Sequence, residues 1–468
     1  MSNKYHIIGS GPTGLTLATI LSYYGHDITV IDKEDTIGGI HRVKRVDNYF
    51  TEHGPRIYSS SFINFINILK NVDIDFYNYF VPYLFNMTNI GKKSINNFKV
   101  NEIMCLTYSF IIFMINPNSY KKITMKKYLN KHNFSNKAID YINRLCILSD
   151  GADITRFTVY QFFQMMNQQT FYNIYQPNKT NDHIDSWLNV WKKKLENRNV
   201  KFILTCEVKK INIDFDNNYV ESIKINNKGI VEIVNLQDSN LILAMPPKYI
   251  SKLIYNKKLI DFELENKYNT YISITFHWNN KMSLPKVWGF PKTDWGILYI
   301  VLSDYMEDLQ GLTISSCIAI TDKTSKRTNL TADQTYEKEE LIKETFLQLK
   351  ESYPCLSIYD KAIVSPGVYY HNNKWHMTDS STIITKHAYD ENNKIGNMIN
   401  AGIVNLFNCG THNNEHKYSF TSVESACENA IYLAKILEPK SKFKIQSRLE
   451  LRHVIFFIII ILVMYISS

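Results

Sequence analysis

The chain has no Cys-x-x-Cys pair, no repeat at a fixed period, no zinc or helix-turn-helix spacing and no signal peptide ahead of its first apolar run. Each absence excludes something. The seven cysteines (Cys105, Cys146, Cys206, Cys317, Cys355, Cys409, Cys427) are odd in number and scattered. That pattern argues against a disulfide framework and for reduced thiols in a cytosolic compartment. The missing period excludes solenoids and propellers. A formal net charge of +9 invites a nucleic-acid reading, yet the lysines are dispersed among an excess of Asn, Ile and Tyr. This is a compositional bias rather than a binding face, and no nucleic-acid partner is expected. Without a signal peptide, the Asn-x-Ser/Thr matches at Asn86, Asn133, Asn178 and Asn329 are expected to carry no sugar. His412 and His416 stand four apart without a third ligand, so no metal site is expected.

What is present begins at once. Lys4–Ile8 reads as a buried strand that runs into Gly9-Ser10-Gly11-Pro12-Thr13-Gly14 and then an apolar helix through Leu15, Leu17, Ala18 and Leu21. Gly25 stops that helix, and Ile28–Ile31 forms a second strand ending at Asp32-Lys33. Gly9 permits the tight turn, Gly11 lets backbone N–H groups approach a pyrophosphate, and Gly14 lets helix and strand pack closely. Pro12 suits the first helical position, where its missing N–H costs nothing. The helix N-terminus with Thr13 then offers donors and partial positive charge to a phosphate. Asp32 lies eighteen residues after Gly14, the distance expected of an acid that meets a ribose hydroxyl. A glycine-rich turn alone can be purely structural. Strand, helix, second strand and acid in one register argue for a dinucleotide.

The next stretch, with Gly38-Gly39-Ile40-His41-Arg42 and Glu52-His53-Gly54-Pro55-Arg56, resembles the flavin-containing amine oxidoreductase superfamily, which includes monoamine and polyamine oxidases, protoporphyrinogen oxidase and phytoene desaturases. The resemblance implies that Gly38, Gly39 and Arg42 meet the FAD phosphates and that Gly54, Pro55 and Arg56 lie near the isoalloxazine ring. Two later segments extend it. Cys206–Ile211 followed by an Asn/Asp-rich hairpin and Leu241–Pro247 resembles the family's middle FAD-binding section, with backbone at Val208 against the adenine. Leu406–Gly410 and Thr421–Ala426 resemble its closing signature, with Gly410 and Val423 at the flavin. Thr411 stands where that signature has an acid, and Glu428-Asn429 where it commonly has Ser-Gly. Monoamine oxidases attach FAD through a Cys upstream of the last flavin segment. Ser365–Gly402 contains none, so FAD is expected to be non-covalent.

At 468 residues, two domains are the natural expectation. The resemblance implies an α/β fold: a FAD-binding Rossmann-like (GR2-type) domain over 1–76, 182–253 and 395–440, with an inserted mixed α+β substrate domain over 77–181 and 254–394. Within the latter, Tyr271–Phe276 reads as a strand from its β-branched and aromatic content, and Thr335–Glu351 as an acidic-basic helix. The apolar run Ile103–Ile115 reads as a buried helix of this domain.

A second signal lies at residues 454–468. Every residue from Val454 to Ile466 is apolar or aromatic, behind Lys440, Lys442, Lys444, Arg448 and Arg452. A helix with no polar stripe has no face to show to water, so membrane attachment is expected. Residues 441–453 would form a basic linker against anionic lipid, with the catalytic domain on the cytosolic side. Fifteen residues at about 1.5 Å each are short of a hydrocarbon core of about 30 Å.

The resemblance implies an oxidoreductase that moves hydride from an amine or another C–N or C–C substrate to flavin N5. Many amine oxidases place a Lys near N5; the matching place here falls at Tyr271, with Lys267 four residues earlier. Tyr369, Tyr370, His371 and Trp375 fall where the family often has ring-facing aromatics, although core packing accounts for such a cluster equally simply. His412–His416 follow the last flavin strand, either in the site or in a solvated loop. Gly38-Gly39 and Gly54–Tyr58 also resemble UDP-galactopyranose mutase, a non-redox flavoenzyme with His in place of Arg56. A non-catalytic, membrane-tethered flavin-fold binding protein is the third reading.

Overall fold

The computed structural model describes residues 2–83, 95–254, 267–268, 270–284, 293–351, 353–378, 383–384, 403–413, 417–418 and 421–467. Five parallel strands, β1 (Lys4–Ile8), β2 (Asp27–Ile31), β3 (Lys201–Ile203), β4 (Ser239–Leu243) and β5 (Leu406–Asn408), form one sheet in the spatial order β5-β4-β1-β2-β3. β1 is central, with Ile8 level with Ile31 on one side and Leu243 on the other. Parallel strands covered on both faces must be apolar throughout, as the Ile and Leu residues of β1, β2 and β4 are.

Helix α1 (Pro12–Tyr23) is buried from Pro12 to Leu21. It is apolar all round because it is sandwiched between this sheet and α2 (Val423–Leu437). Its few polar atoms find partners inside: Thr16 Oγ1 lies 3.3 Å from Cys427 Sγ, and Thr19 Oγ1 accepts from Trp191 Nε1 at 2.9 Å. A three-stranded antiparallel sheet, Cys206–Asp214, Tyr219–Asn227 and Ile230–Asn235, joins the Rossmann unit. In its first turn Asp214 Oδ1 accepts from the Asp216 and Asn217 N–H groups.

A second sheet is antiparallel and four-stranded, ordered Ile297–Val301, Leu312–Ile318, Ile272–Trp278, Lys361–Val364. Ile272–Trp278 alternates apolar and polar residues yet is buried on both faces. Ile272, Ile274, Phe276 and Trp278 pack in a core with Leu341, Phe346 and Leu349 of the helix Lys338–Lys350. Ser273, Thr275 and His277 face Tyr49–Glu52: Ser273 Oγ donates to His53 O, Thr275 pairs with Thr51 at 3.1 Å, and His277 Nε2 lies 2.8 Å from Phe50 O. The polar face is thus a docking face, and it brings the second sheet against the segment that precedes Gly54.

The insertion after the first Rossmann segment is helical, with Val100–Ile115, Met125–Lys131, Asn136–Asp150 and Val159–Gln169 packed about Phe113, Leu129, Phe157 and Phe163. Thr124, Ser135 and Thr158 cap three of these helices. The expectation of a buried helix over Ile103–Ile115 fails for one face: Met104, Tyr108, Ile111 and Ile115 are exposed. Mean apolarity does not reveal which face of a helix has neighbours.

The expected basic linker is also corrected. Residues 441–450 lie along the body of the protein as an ordered strap. Phe443 is buried, Gln446 N donates to Asn64 Oδ1 at 2.7 Å, and Leu449 N donates to Tyr172 Oη at 2.8 Å. Arg448 is buried, with Nη2 2.7 Å from Glu424 and 2.6 Å from Glu428, both on α2. Glu450 accepts from Gln164, Asn167 and Gln168. Arg448 therefore faces two carboxylates rather than lipid. Beyond the strap, α3 (Leu451–Ser467) is a helix of 17 residues with Phe456–Tyr465 exposed. Among the described residues, no helix is long and apolar enough to cross a membrane.

Candidate functional site

A cavity of about 590 Å³ opens at the carboxyl ends of β1, β2 and β4, where the Rossmann unit meets the second sheet and the helical insertion. This is the crevice in which open α/β sheets receive ligands. Its wall starts with the turn after β1. Gly9 has φ +110°, and a Cβ there would stand 2.5 Å from Ala244 O, so only glycine fits. α1 opens at Pro12 with no side chain capping its first turn, which leaves its N-terminal donors to the cavity. Facing that turn, Gly38 (φ +111°) donates its N–H to Ser10 O at 2.9 Å, so the glycine pair is pinned over the turn rather than loose on the surface. Gly11 and Gly39 then present bare backbone to each other: a Cβ on Gly39 would lie 3.0 Å from Gly11 Cα.

Asp32 ends β2 inside this wall, but its carboxylate is already engaged. Oδ2 accepts from Ser10 N at 2.7 Å and Ser10 Oγ at 2.6 Å and pairs with Arg42 Nη2 at 2.6 Å, while Oδ1 accepts from Glu34 N at 3.0 Å. Arg42, expected on phosphate, spends this contact on Asp32; both residues still line the cavity. The pair ties the glycine-rich turn to the glycine pair, so the sequence reading was incomplete about what Asp32 and Arg42 hold.

One end of the cavity is formed by Lys33, Cys206–Lys209, Tyr249, Lys252 and Leu253. Cys206 N donates to Asp32 O at 2.9 Å, which brings the strand carrying Val208 to the end of β2. Lys33 Nζ lies 5.7 Å from the Tyr249 ring, and burial lowers its pKa. Tyr249 and Lys252 were missed by sequence reasoning; their only signal is position, directly after Pro246-Pro247.

The other end is lined by His53–Ile57, Leu148, Ser149, Tyr271, Leu298 and Cys317. Arg56 is held by Nη2 on Ile40 O, and its own carbonyl accepts from Gln176 Nε2 at 2.6 Å. Among the described residues, Arg56 Nε and His53 Nε2 are buried polar atoms without a protein partner, available to a ligand. Burial lowers the Arg56 pKa and takes His53 down to about 3, helped by the Arg56 charge. Burial pushes Glu52 up to about 7 against the pull of Arg56. Tyr271, at the place of the family's lysine, lines the cavity and donates Oη to Ile147 O at 2.8 Å.

The third wall is Cys409–His412 and Thr421–Val423 with Ala426. Gly410 N donates to Asn413 Oδ1 at 2.7 Å, and burial takes His412 down to about 3. The cavity thus gathers Gly9, Gly11, Pro12, Thr13, Asp32, Lys33, Gly39, Arg42, Gly54, Pro55, Arg56, Val208, Gly410 and Val423. Gly14 and Gly38 stand behind it. A Cβ on Gly14 would be 2.0 Å from Gly9 O, and one on Gly38 would meet Leu188 Cδ1 at 2.7 Å, so both serve close packing.

The aromatic group Tyr369, Tyr370, His371 and Trp375 lies elsewhere, on the hairpin Val368–His371/Lys374–Met377. Trp375 is buried and donates to Thr335 O at 3.1 Å, whereas Tyr369 is exposed, so the core reading holds for Trp375. Asn414, Glu415 and His416 lie outside the described residues. Three of the cysteines, read in the sequence only as reduced thiols, line the cavity: Cys206, Cys317 and Cys409. Burial pushes the Cys317 thiol up to about 12 and raises Cys409 and Cys206 as well.

A dinucleotide-binding α/β architecture, with its ligand crevice shared by a second sheet, is the class that this fold and cavity define. Residues 7–72 match the NAD(P)-binding Rossmann-like domain family. No curated protein matches the chain by sequence. Among solved structures, a putrescine oxidase variant is similar with a TM-score of 0.64 at 13% identity, over 94% of this chain and 100% of that one. A proposed protoporphyrinogen oxidase from Exiguobacterium sp. 255-15 gives 0.62 at 13% identity, over 94% and 99%. An oxidoreductase from Methanosarcina mazei gives 0.62 at 12% identity, over 92% and 100%. The likeness to these solved structures is one of fold, and it extends over nearly the whole chain.

Proposed function

We propose that the protein is a FAD-dependent oxidoreductase of the amine-oxidase type. It binds FAD without a covalent bond and is attached to a membrane through α3, its catalytic domain facing the cytosol. The observation that carries this reading is the convergence of segments near residues 9–13, 39–56, 206–209, 410–412 and 421–423 on one cavity.

The residues present fit FAD. The bare Gly11–Gly39 passage and the uncapped start of α1 suit a pyrophosphate. Backbone around Val208, with Lys33 and Tyr249 beside it, suits the adenosine end. Gly54–Arg56, Tyr271, Gly410–His412 and Val423 would surround the ring, where the unpartnered Arg56 Nε and His53 Nε2 supply donors or acceptors. Bound FAD supplies an acceptor for hydride leaving a C–N or C–C bond. This chain's own residues orient the substrate and exclude water. His53 and His412 are held neutral, Tyr271 replaces the usual ammonium with a hydroxyl fixed to Ile147 O, and the cavity thiols are kept protonated.

The test is the visible absorbance of the protein cut after Ile455, which preserves the strap, before and after acid precipitation. A flavin band that passes to the supernatant and is bleached by an amine or polyene substrate is the expected result. A band that stays in the pellet would overturn non-covalent binding. A folded, colourless protein that FAD cannot reconstitute would overturn the enzyme reading.

A further inference from the structure

On the helix Val100–Ile115, Val100, Met104, Tyr108, Ile111 and Ile115 recur at spacings of three and four, the period of one helical face. Each is 52–75% exposed. The other face is well anchored: Tyr128 Oη donates to Ser109 Oγ at 2.8 Å, and the Phe113 ring lies 5.7 Å from that of Phe163. The helix has one charged residue, Glu102, which is buried and accepts from the backbone N–H groups of Lys99 and Ser135. Single exposed apolar residues need no explanation. A charge-free stripe along 16 residues, about 24 Å of helix, does need one.

We infer that this stripe is a membrane-binding face, seated in the headgroup–acyl boundary of an anionic bilayer beside α3, so that the protein rests on the membrane along two helices. Two observations single out lipid. The first is continuity: Leu451 and Ile455, at the root of α3, pack on the same cluster as Phe110, Phe113 and Phe163, so the two helices are rooted in one core. The second is charge. Lys99 precedes the stripe and Lys121 and Lys122 follow it, with Lys99 and Lys122 exposed, where long stems reach phosphate headgroups while the stripe is buried.

This inference rests on the membrane attachment proposed above, and the test separates the two. Flotation on phosphatidylcholine vesicles, with and without phosphatidylserine, compares the full chain, the chain cut after Ile455, and that shorter chain carrying Met104→Glu and Ile111→Glu. Thermal unfolding and size-exclusion chromatography check fold and oligomeric state. The full chain floats strongly. The shorter chain still floats, better with phosphatidylserine, and the double substitution lowers its bound fraction by about tenfold or more, since carboxylates enter the apolar boundary at high cost. Failure of the full chain to float would sink membrane attachment altogether. A full chain that floats beside a shorter chain that does not would sink the stripe alone. So would a shorter chain that dimerises through these residues, or a folded double variant that floats undiminished.

Discussion

Arg448→Ala should damage this protein more than any other single change in the strap. Arg448 Nη2 lies 2.7 Å from Glu424 and 2.6 Å from Glu428, Nε donates to Ser61 O at 3.2 Å, and the guanidinium sits 4.6 Å from the Tyr418 ring. Both glutamates are wholly buried. Removing the cation strands two carboxylates in the interior, a change that costs about 3–5 kcal/mol. At roughly 2–4 °C per kcal/mol for a domain of this size, melting should fall by about 6–20 °C. The pH dependence provides a sharper check. Burial raises the Glu424 pKa from 4.5 to about 7 even with Arg448 beside it. Between those values the folded state binds more protons than the unfolded chain, so this group's contribution to stability declines as pH rises from 4.5 through 7. Without Arg448 the pKa moves higher still, so the Ala variant should lose most at pH 8 and least near pH 5. Denaturant melts followed by Trp187 and Trp191 fluorescence at the two pH values provide the comparison. A loss under about 1 kcal/mol, or one equal at both pH values, would refute the argument. The Ser422–Ala426 turn of α2 lines the cavity, so flavin retention should fall along with stability.

Two further outcomes follow from the cavity wall. Gly14→Ala puts a Cβ 2.0 Å from Gly9 O, which the turn cannot absorb without opening; purified protein should lack flavin, and normal flavin content would contradict the packing role. Native protein at pH 8 should alkylate rapidly at exposed Cys355 and only after unfolding at Cys317, Cys409 and Cys427, whose thiols burial holds protonated. Mass spectrometry reads the order, and early labelling of Cys317 would show that the cavity floor is open.

The parts legible in the sequence were those whose spacing is itself the geometry. β1, the glycine turn, α1 and β2 are contiguous, and each glycine reports a backbone contact made within the same segment. The strap was not legible because its partners Asn64 and Gln164 are distant in the chain, and a lysine-rich segment gives no sign of a single inward arginine. Glu428 looked like a departure from the family's closing signature; in the structure it is half of the carboxylate pair that receives Arg448. The exposed stripe on Val100–Ile115 was hidden for a related reason. Apolar residues cover that helix all round, and only the fold decides which of them have neighbours.

The cavity's dependence on residues far apart in the chain has a consequence for biogenesis. β1 and β2 leave the ribosome early, but β4 and β5, Gly410, Val423 and the strap that clamps α2 come hundreds of residues later. At about 5–20 residues per second, roughly 20–80 s separate the synthesis of β1 from that of β5. Throughout that interval the glycine turn has no far wall against which to hold a cofactor. A cofactor held there as proposed would therefore load late, once β5, Gly410 and Val423 have been made, rather than on the nascent N-terminal segment.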